Sequence, residues 1–336
     1  MKFPQFVQYG DSIGVTAPSN GVCDELKIKR IKNATLNMRN AGYTIVTTDN
    51  VFTCDERGVS SSGQDRARQF MNLIKNDSVK AIYSVAGGDY LMEMLQYLDW
   101  DLIKEHPTWF QGYSDNTGLV YPLVTKCDIA AIYGSGYADF GMKPWHQSVI
   151  DAHQLVTGTK KRFESYDYYE DQRYDYVTGY EGYHEDLPVK WINARGDQKI
   201  DIEGRVIGGC LDVIVFLLGT KYDGGREFVQ KYAEDGIIWA LETFNMEDVV
   251  IITHLWQMKE MGYFENVKGF VFGRPAMYNS FSGQDFKDAI MEALGDLEVP
   301  IIFEADIGHK GPTIPIIMGS KVRIISEDGS GVIEYI

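Results

Sequence analysis

Three separate stretches of the sequence carry the residue types of a serine hydrolase. Ser114 lies in the polar stretch GYSDNT between two apolar runs, Glu242 follows the apolar run IIWAL, and His309 lies in the glycine-flanked stretch IGHKGP. A serine hydroxyl is a weak nucleophile near neutral pH. It needs an adjacent base, a carboxylate that orients this base, and amide donors for the developing oxyanion. These three stretches could supply such groups.

Each of these residues also has an ordinary structural interpretation. Ser114 and Asp115 are common capping residues where a strand passes into a helix. A glutamate after a strand is often a surface or capping residue, and a histidine in a loop is usually solvated. The chain order Ser, Glu, His is that of α/β-hydrolases. Their G-x-S-x-G elbow, however, would require a glycine at Asn116.

The segments that must position these residues alternate between short apolar runs and amphipathic stretches. We predict strands at 12–17, 43–47, 81–85 and 108–111, and helices at 25–41, 64–74 and 90–98. This alternation predicts a parallel sheet covered on both faces, with ligand chemistry at the carboxyl ends of its strands. The loops 18–20, 87–90 and 112–117 should therefore converge on one edge of the sheet.

The second half of the chain predicts another α/β domain. Residues 161–203 are rich in Tyr, Asp and Glu and lack a regular apolar period, which indicates a long loop between domains 1–160 and 204–336. Predicted strands follow at 204–207, 237–241, 267–272, 301–303 and within 321–335, with helices at 211–218 and 249–261. The fold class is therefore α/β.

Composition and charge exclude several classes of protein. The chain has 336 residues, of which 44% are hydrophobic, enough for one large or two ordinary domains. With 48 acidic and 32 basic residues its formal charge is −16, so its field repels polyanions. We therefore predict neither a nucleic-acid partner nor a membrane partner.

Cysteine spacing and the N-terminus indicate a cytoplasmic protein. Cys23, Cys54, Cys127 and Cys210 lie far apart with no CxxC pair, so we expect four reduced thiols. The first 20 residues lack the apolar core of a signal peptide, and no apolar run approaches the roughly 20 residues that span a bilayer.

The sequence gives no motif for a metal or another cofactor. His146 and His153 lack the HExxH spacing of zinc peptidases, and no G-x-x-x-x-G-K-[ST] loop is present. We therefore predict no metal and no cofactor.

Seven short motifs in order carry a family resemblance. GDSIGVTAPS, AGGDY, GYSDNT, GRVIGGCLD, IIWALETFN, FGRP and GHKGP together resemble the LD-carboxypeptidase family of serine peptidases, and within it the microcin C immunity protein branch. The resemblance covers nearly the whole chain. It implies a Rossmann-like N-terminal domain with a parallel sheet flanked by helices, a smaller β-rich α/β C-terminal domain, and a homodimer.

The resemblance also implies roles for single residues. Ser114 is similar to the family's nucleophile, Glu242 to its acidic member and His309 to its base, so the triad would combine residues of both domains. The backbone amides of Gly88 and Asp115 would be the oxyanion donors. The sequence departs from the family at Cys210, where Asn is frequent, which puts any role of this position in doubt.

Two substrate classes fit the resemblance. LD-carboxypeptidases remove a terminal D-amino acid from cell-wall tetrapeptides, whereas the immunity proteins cleave an amide in an aminoacyl-nucleotide conjugate and stack its base on an aromatic residue. The long loop and the FGRP motif favour the second class, a short peptide or peptidyl-nucleotide. Trp191 would then stack the base and Arg274 would bind the anion, although Trp191 could also anchor its loop and Arg274 could pair with an acidic residue.

A non-catalytic binding module is the alternative from another functional class. Two α/β domains joined by a long loop would also suit a ligand sensor. Such a protein would function unchanged after Ser114→Ala.

Overall fold

The structure is a computed structural model that describes residues 1–196 and 198–336. The chain divides into two compact units, each built from more than one segment. Unit 1 comprises Met1–Lys160, Tyr174–Tyr183 and Pro315–Ile317, and unit 2 comprises Lys161–Arg173, His184–Ile314 and Met318–Ile336.

The strands follow one another along the described chain as β1 (Ser12–Thr16), β2 (Thr44–Thr47), β3 (Val79–Ser84), β4 (Trp109–Gly112), β5 (Ala131–Tyr133), β6 (Arg162–Glu164), β7 (Tyr168–Tyr169), β8 (Leu187–Pro188), β9 (Ile192–Asn193), β10 (Ile200–Cys210), β11 (Ile237–Glu242), β12 (Val267–Gly273), β13 (Ile301–Ala305), β14 (Ile316–Met318), β15 (Lys321–Glu327) and β16 (Ser330–Tyr335).

The α-helices are α1 (Glu25–Asn40), α2 (Gly63–Ile74), α3 (Trp100–Glu105), α4 (Thr117–Thr125), α5 (Gln147–Val156), α6 (Leu211–Leu217), α7 (Gly225–Lys231), α8 (Asp248–Glu260) and α9 (Phe286–Leu294). Shorter 3₁₀ segments lie at Asp49–Phe52, Leu91–Tyr97, Ser114–Asn116, Tyr137–Gly141 and Gly295–Leu297. The predicted helix 90–98 is thus a 3₁₀ segment.

Unit 1 is built on a six-stranded sheet with the order β14-β5-β4-β3-β1-β2. The pairs from β2 to β5 are parallel. The order 2-1-3-4-5 is that of a doubly wound fold, whose ligand crevice opens outside the carboxyl ends of the strands between β1 and β3. The loops that follow β1, β3 and β4 therefore surround this crevice, as the alternation of elements predicts.

Helix α1 shows how the local sequence produces an element of unit 1. The side chain of Asp24 accepts a hydrogen bond from the backbone N–H of Lys27 at 2.9 Å, which caps the first turn. Ile31, Ala34 and Met38 recur at helical spacing and are buried. The apolar stripe packs into the core while the lysines of the helix face solvent.

Unit 2 contains an eight-stranded sheet with the order β6-β16-β15-β10-β11-β12-β13-β9. Strands β10 to β13 pair in parallel, and antiparallel strands extend the sheet at both ends. The parallel sheet of the first unit and this second, β-rich sheet confirm the predicted α/β class.

The segment 161–203 has more regular structure than the predicted loop. It contributes β6, which pairs with β16, the ladder between β7 and β8, and β9, which pairs with β13. These strands have only two or three residues, so they form through pairing with distant edges and leave no local apolar period.

The expectation of four reduced cysteines is wrong for two of them. Cys23 and Cys54 form a disulfide with their Cα atoms 6.2 Å apart, while Cys127 and Cys210 are free and buried. The two bonded residues are 31 positions apart, and the loops around them meet through a bridge between Asn20 and Val59. Such long-range proximity leaves no trace in cysteine spacing, and a chain with this disulfide gives no indication of a cytoplasmic location. None of the described helices is both long and apolar enough to cross a bilayer.

Candidate active site

Ser114 lies on a sharp turn between a strand and a helix. Strand β4 ends at Gly112, a 3₁₀ turn follows, and α4 begins at Thr117. Ser114 has φ 62°, in the left-handed region that costs a non-glycine residue roughly 1–2 kcal/mol. Its backbone N–H donates to the hydroxyl oxygen of Tyr133 at 3.1 Å. A strained turn of this kind exposes a nucleophile at the carboxyl edge of a sheet.

Glycines allow two backbone segments to approach this turn. A Cβ atom at Gly112 would lie 2.8 Å from the Cβ of Asn116, and one at Gly87 would lie 3.0 Å from the Ser114 hydroxyl oxygen. Gly88 has φ 149°, and its Cβ would lie 2.3 Å from the hydroxyl oxygen of Ser19. The glycine pair therefore brings main-chain groups, rather than side chains, close to Ser114.

The Asp115 side chain is a feature that sequence reasoning missed. The sequence suggests a helix cap or a backbone amide donor at Asp115, whereas its buried carboxylate accepts hydrogen bonds from the Ser19 hydroxyl at 2.5 Å and the Leu91 backbone N–H at 2.9 Å. Burial raises the pKa of Asp115, opposed by these two hydrogen bonds. The available signal was the run of polar residues in each of the three converging loops.

Glu242 and His309 form a hydrogen-bonded pair in unit 2. Glu242 ends β11, where its carboxylate is fully buried, and its Oε2 lies 2.8 Å from Nδ1 of His309. Gly308 allows this approach, since it has φ 101° and its Cβ would lie 2.7 Å from the same Oε2. A buried carboxylate on Nδ1 fixes the imidazole tautomer and leaves Nε2 as the base.

The surroundings of His309 keep it protonated to a higher pH than usual. Burial by itself lowers the pKa of His309, but the charge of Glu242, its hydrogen bond and the charge of Asp212 together raise it, with Arg173 opposing them. The Phe244 ring lies 4.7 Å from the imidazole, centroid to centroid. Asp212 holds the backbone N–H of Phe244 at 2.9 Å, so it supports the residue that packs on the base.

Cys210 also lies beside the pair. It is opposite Glu242 in the register of β10 and β11, and its Sγ lies 3.5 Å from Oδ2 of Asp212. Burial, together with the charges of Glu242 and Asp212, raises the thiol pKa well above its ordinary value. The thiol is therefore held protonated as a weak donor towards carboxylates and is a poor nucleophile.

The structure does not support the predicted substrate contacts of Trp191 and Arg274. The Trp191 ring is only 2% exposed, and its Nε1 donates to Asp306 at 3.1 Å. Arg274 is 1% exposed, pairs with the same carboxylate and lies 4.1 Å from the centre of the Tyr169 ring. A ring in the core has no face for a base, and the guanidinium already has an internal anion. Both side chains instead join Asp306, which stands three residues before His309, to the rest of unit 2.

No group of three or more His, Cys, Asp and Glu residues in the described part of the chain is arranged to hold a metal ion. The functional groups of the candidate site are the Ser114 hydroxyl, the His309 imidazole and the Glu242 carboxylate.

Comparison with models of known protein families identifies the family of this chain. The LD-carboxypeptidase N-terminal domain matches residues 13–134, and the LD-carboxypeptidase C-terminal domain matches residues 203–324. The chain belongs to the LD-carboxypeptidase family. It is therefore a hydrolase that acts on peptide bonds, and the predicted family and serine peptidase or amidase class are confirmed.

Individual relatives and structures agree with this family. The microcin C7 self-immunity protein MccF of Escherichia coli is 23% identical over 288 residues, which are 79% of this chain and 76% of MccF. The crystal structure of an MccF-like protein from Bacillus anthracis superposes with a TM-score of 0.81 at 24% identity and covers 100% of both chains. A structure of MccF in complex with aspartyl sulfamoyl adenosine superposes with a TM-score of 0.80 at 19% identity, covering 100% of this chain and 99% of MccF.

Proposed function

We propose that this LD-carboxypeptidase family member uses Ser114 as its nucleophile, His309 as its general base and Glu242 as the carboxylate that orients the base. The observation that carries the proposal is the 2.8 Å hydrogen bond between Nδ1 of His309 and the fully buried Glu242. The strained backbone of Ser114 supports it independently. Catalysis by this triad requires residues of both units, because Ser114 belongs to unit 1 and the other two to unit 2.

The proposed reaction is acyl transfer to water in two steps. Nε2 of His309 takes the proton of Ser114 as its oxygen attacks the amide carbonyl, and the backbone amides of Gly88 and Asp115 stabilise the oxyanion. The imidazolium then protonates the leaving nitrogen, and an acyl-enzyme remains. Water activated by the same imidazole releases the acid and restores the Ser114 hydroxyl.

For the substrate, we propose an amide in a short peptide or in a peptidyl- or aminoacyl-nucleotide conjugate. The support is the similarity to MccF, one of whose structures holds aspartyl sulfamoyl adenosine. The second candidate is the terminal D-amino acid of a cell-wall tetrapeptide, which the family description favours. Neither Trp191 nor Arg274 is part of the proposal, because both side chains are buried in contacts within unit 2.

The test separates the substrate from the nucleophile. Wild-type protein, Ser114→Ala and the surface control Ser78→Ala are incubated with aspartyl sulfamoyl adenosine, its peptide-extended precursor and a cell-wall LD-tetrapeptide, and products are followed by mass spectrometry. We expect wild type and Ser78→Ala to release the acyl group of a nucleotide conjugate, and Ser114→Ala to release none. Turnover of the tetrapeptide alone would favour the second candidate. Equal turnover by Ser114→Ala would remove the nucleophile, as a non-catalytic module predicts.

A further inference from the structure

Two buried side chains of opposite charge hold the same pair of loops beside Ser114. The first loop follows β1 and contains Pro18 and Ser19. The second follows β3, contains the glycine pair and Tyr90, and leads into the 3₁₀ segment that begins at Leu91. The loops also touch directly, since the backbone N–H of Asn20 donates to the Gly87 carbonyl at 3.1 Å. They flank the switch point of the sheet, where doubly wound folds bind their ligands.

Arg66 is the positive member of this arrangement. It is fully buried in α2, and its Nη1 donates to the carbonyl oxygens of Pro18 and Tyr90, each at 2.9 Å. Its Nη2 donates to Glu93 at 2.6 Å. One guanidinium nitrogen thus bonds both loops, which a lysine could not do with the same fixed geometry.

Asp115 is the negative member. The oxygen Oδ2 accepts from the hydroxyl of Ser19 at 2.5 Å and from the backbone N–H of Leu91 at 2.9 Å. These two positions are the immediate neighbours of the two that Arg66 holds. In each of the two segments, 18–19 and 90–91, the first residue is therefore hydrogen-bonded by Arg66 and the second by Asp115.

We propose that Arg66 and Asp115 form a clamp that sets the position of the Gly88 backbone amide relative to Ser114, so that both act as positioning residues through their side chains. This inference rests on the proposed function, because it assigns the clamp to the oxyanion site of Ser114. Gly88 packs against the very hydroxyl that Asp115 holds, since its Cβ would lie only 2.3 Å from Oγ of Ser19. A change at Ser19 is thus transmitted to the glycine pair.

The clamp explains why a buried carboxylate is tolerated near a developing negative charge. An isolated Asp beside the oxyanion would oppose catalysis and would cost desolvation. The carboxylate is offset by two hydrogen bonds and by the charge of Arg66, which acts to lower its pKa against the raising effect of burial. Burial and the charge of Asp89 still leave the pKa of Asp115 raised, and the clamp acts on the active site through the position of the loops.

The expected loss of rate can be estimated from the known cost of removing an oxyanion donor. Removing one such donor costs about 10²–10³ in rate, so displacing it costs about 10- to 100-fold. A displaced donor weakens the transition state without changing the binding of the free reagent. The rate at saturating reagent should therefore fall while the half-saturating concentration stays the same.

A fluorophosphonate reagent tests the clamp without knowledge of the substrate. Its phosphonyl oxygen occupies the oxyanion site once the serine has displaced fluoride, and the site of labelling is read by mass spectrometry. Wild type, Ser114→Ala, Ser19→Ala, Asp115→Asn and Asp115→Ala are compared, each with its thermal unfolding midpoint. Ser78→Ala is the matched control, because Ser78 lies exposed just before β3 and its hydroxyl donates to Asn76.

We expect labelling at Ser114, a limiting rate about 10- to 100-fold lower in Ser19→Ala and Asp115→Ala, and an unchanged rate in Ser78→Ala. Asp115→Asn keeps an acceptor oxygen and should lose less than Asp115→Ala. Wild-type rates in Ser19→Ala would overturn the clamp and leave the nucleophile intact. Equal loss in Asp115→Asn and Asp115→Ala would also overturn it, because charge and not the acceptor would then matter. If wild type is not labelled at Ser114, the proposed nucleophile fails and the clamp fails with it.

Discussion

Replacing Glu242 by Gln tests the electrostatic role of the buried carboxylate. The carboxylate and the imidazolium of His309 are joined by a 2.8 Å hydrogen bond, so their charge centres lie roughly 4 Å apart, which corresponds to about 4 kcal/mol at an effective dielectric of about 20. The imidazolium forms as Ser114 attacks, so this attraction grows in the transition state. At 1.36 kcal/mol per factor of ten, its loss lowers kcat by about 10³-fold.

The same substitution shifts the pH dependence in a defined direction. Glu242 holds the pKa of His309 above its usual range, and the neutral base is lost as pH falls through that raised pKa. Without the carboxylate, burial lowers the pKa of His309, so the acidic limb of kcat/KM should move to lower pH. The stabilising effect of the pair is fully present below about pH 6.5 and is lost as pH rises through the raised pKa, so Glu242→Gln should cost most stability in acid.

The assay is the pH profile of turnover on whichever substrate the wild type cleaves, with unfolding measured in parallel. Glu234→Gln, an exposed glutamate of the same unit, is the control and should behave as wild type. A loss of kcat below about tenfold, or an acidic limb that stays in place, would refute the electrostatic argument.

Two further predictions concern stability. Arg274→Met leaves the buried carboxylate of Asp306 without its cation and should lower the free energy of unfolding by about 3–5 kcal/mol in urea denaturation. The control Arg323→Met removes one member of an exposed pair and should lower it by at most about 1 kcal/mol. Equal effects of the two substitutions would contradict this prediction. Converting Cys23 and Cys54 to Ser should destabilise unit 1 by about 2–4 kcal/mol, because the disulfide closes a loop across 31 positions. Reduction of the wild type with dithiothreitol should lower its stability by the same amount. If neither treatment changes the stability, the disulfide is absent.

Local patterns in the sequence predicted strands β1 to β4 and helices α1 and α2 of unit 1. Apolar runs that end in small polar residues place the loops after β1, β3 and β4 at one edge of a parallel sheet, because parallel strands all end on the same side. Gly112 permits a close approach at the turn after β4, since a Cβ there would collide with Asn116. Helix α1 also follows its apolar period to within one residue at its end.

The features that local sequence patterns could not predict depend on contacts between residues far apart in the chain. The disulfide, the ladder of β7 with β8 and the bonds from Asp115 to Ser19 and Leu91 all join positions far apart in the chain. Trp191 illustrates the same limit, because nothing near it in sequence shows that Asp306 accepts its indole N–H. An aromatic residue in a polar stretch looks exposed until the partner that buries it is known.

The most direct test of the triad is the non-additivity of Ser114→Ala and His309→Ala. When two residues act in the same catalytic step, removing either one removes the whole rate enhancement of that step. Each single variant should therefore lower kcat by about 10⁴–10⁶-fold, and the double variant should be no slower than either single variant. We predict this result on the substrate that the wild type cleaves. If the two losses multiply, or if either single variant keeps wild-type turnover, Ser114 and His309 do not act in one catalytic step.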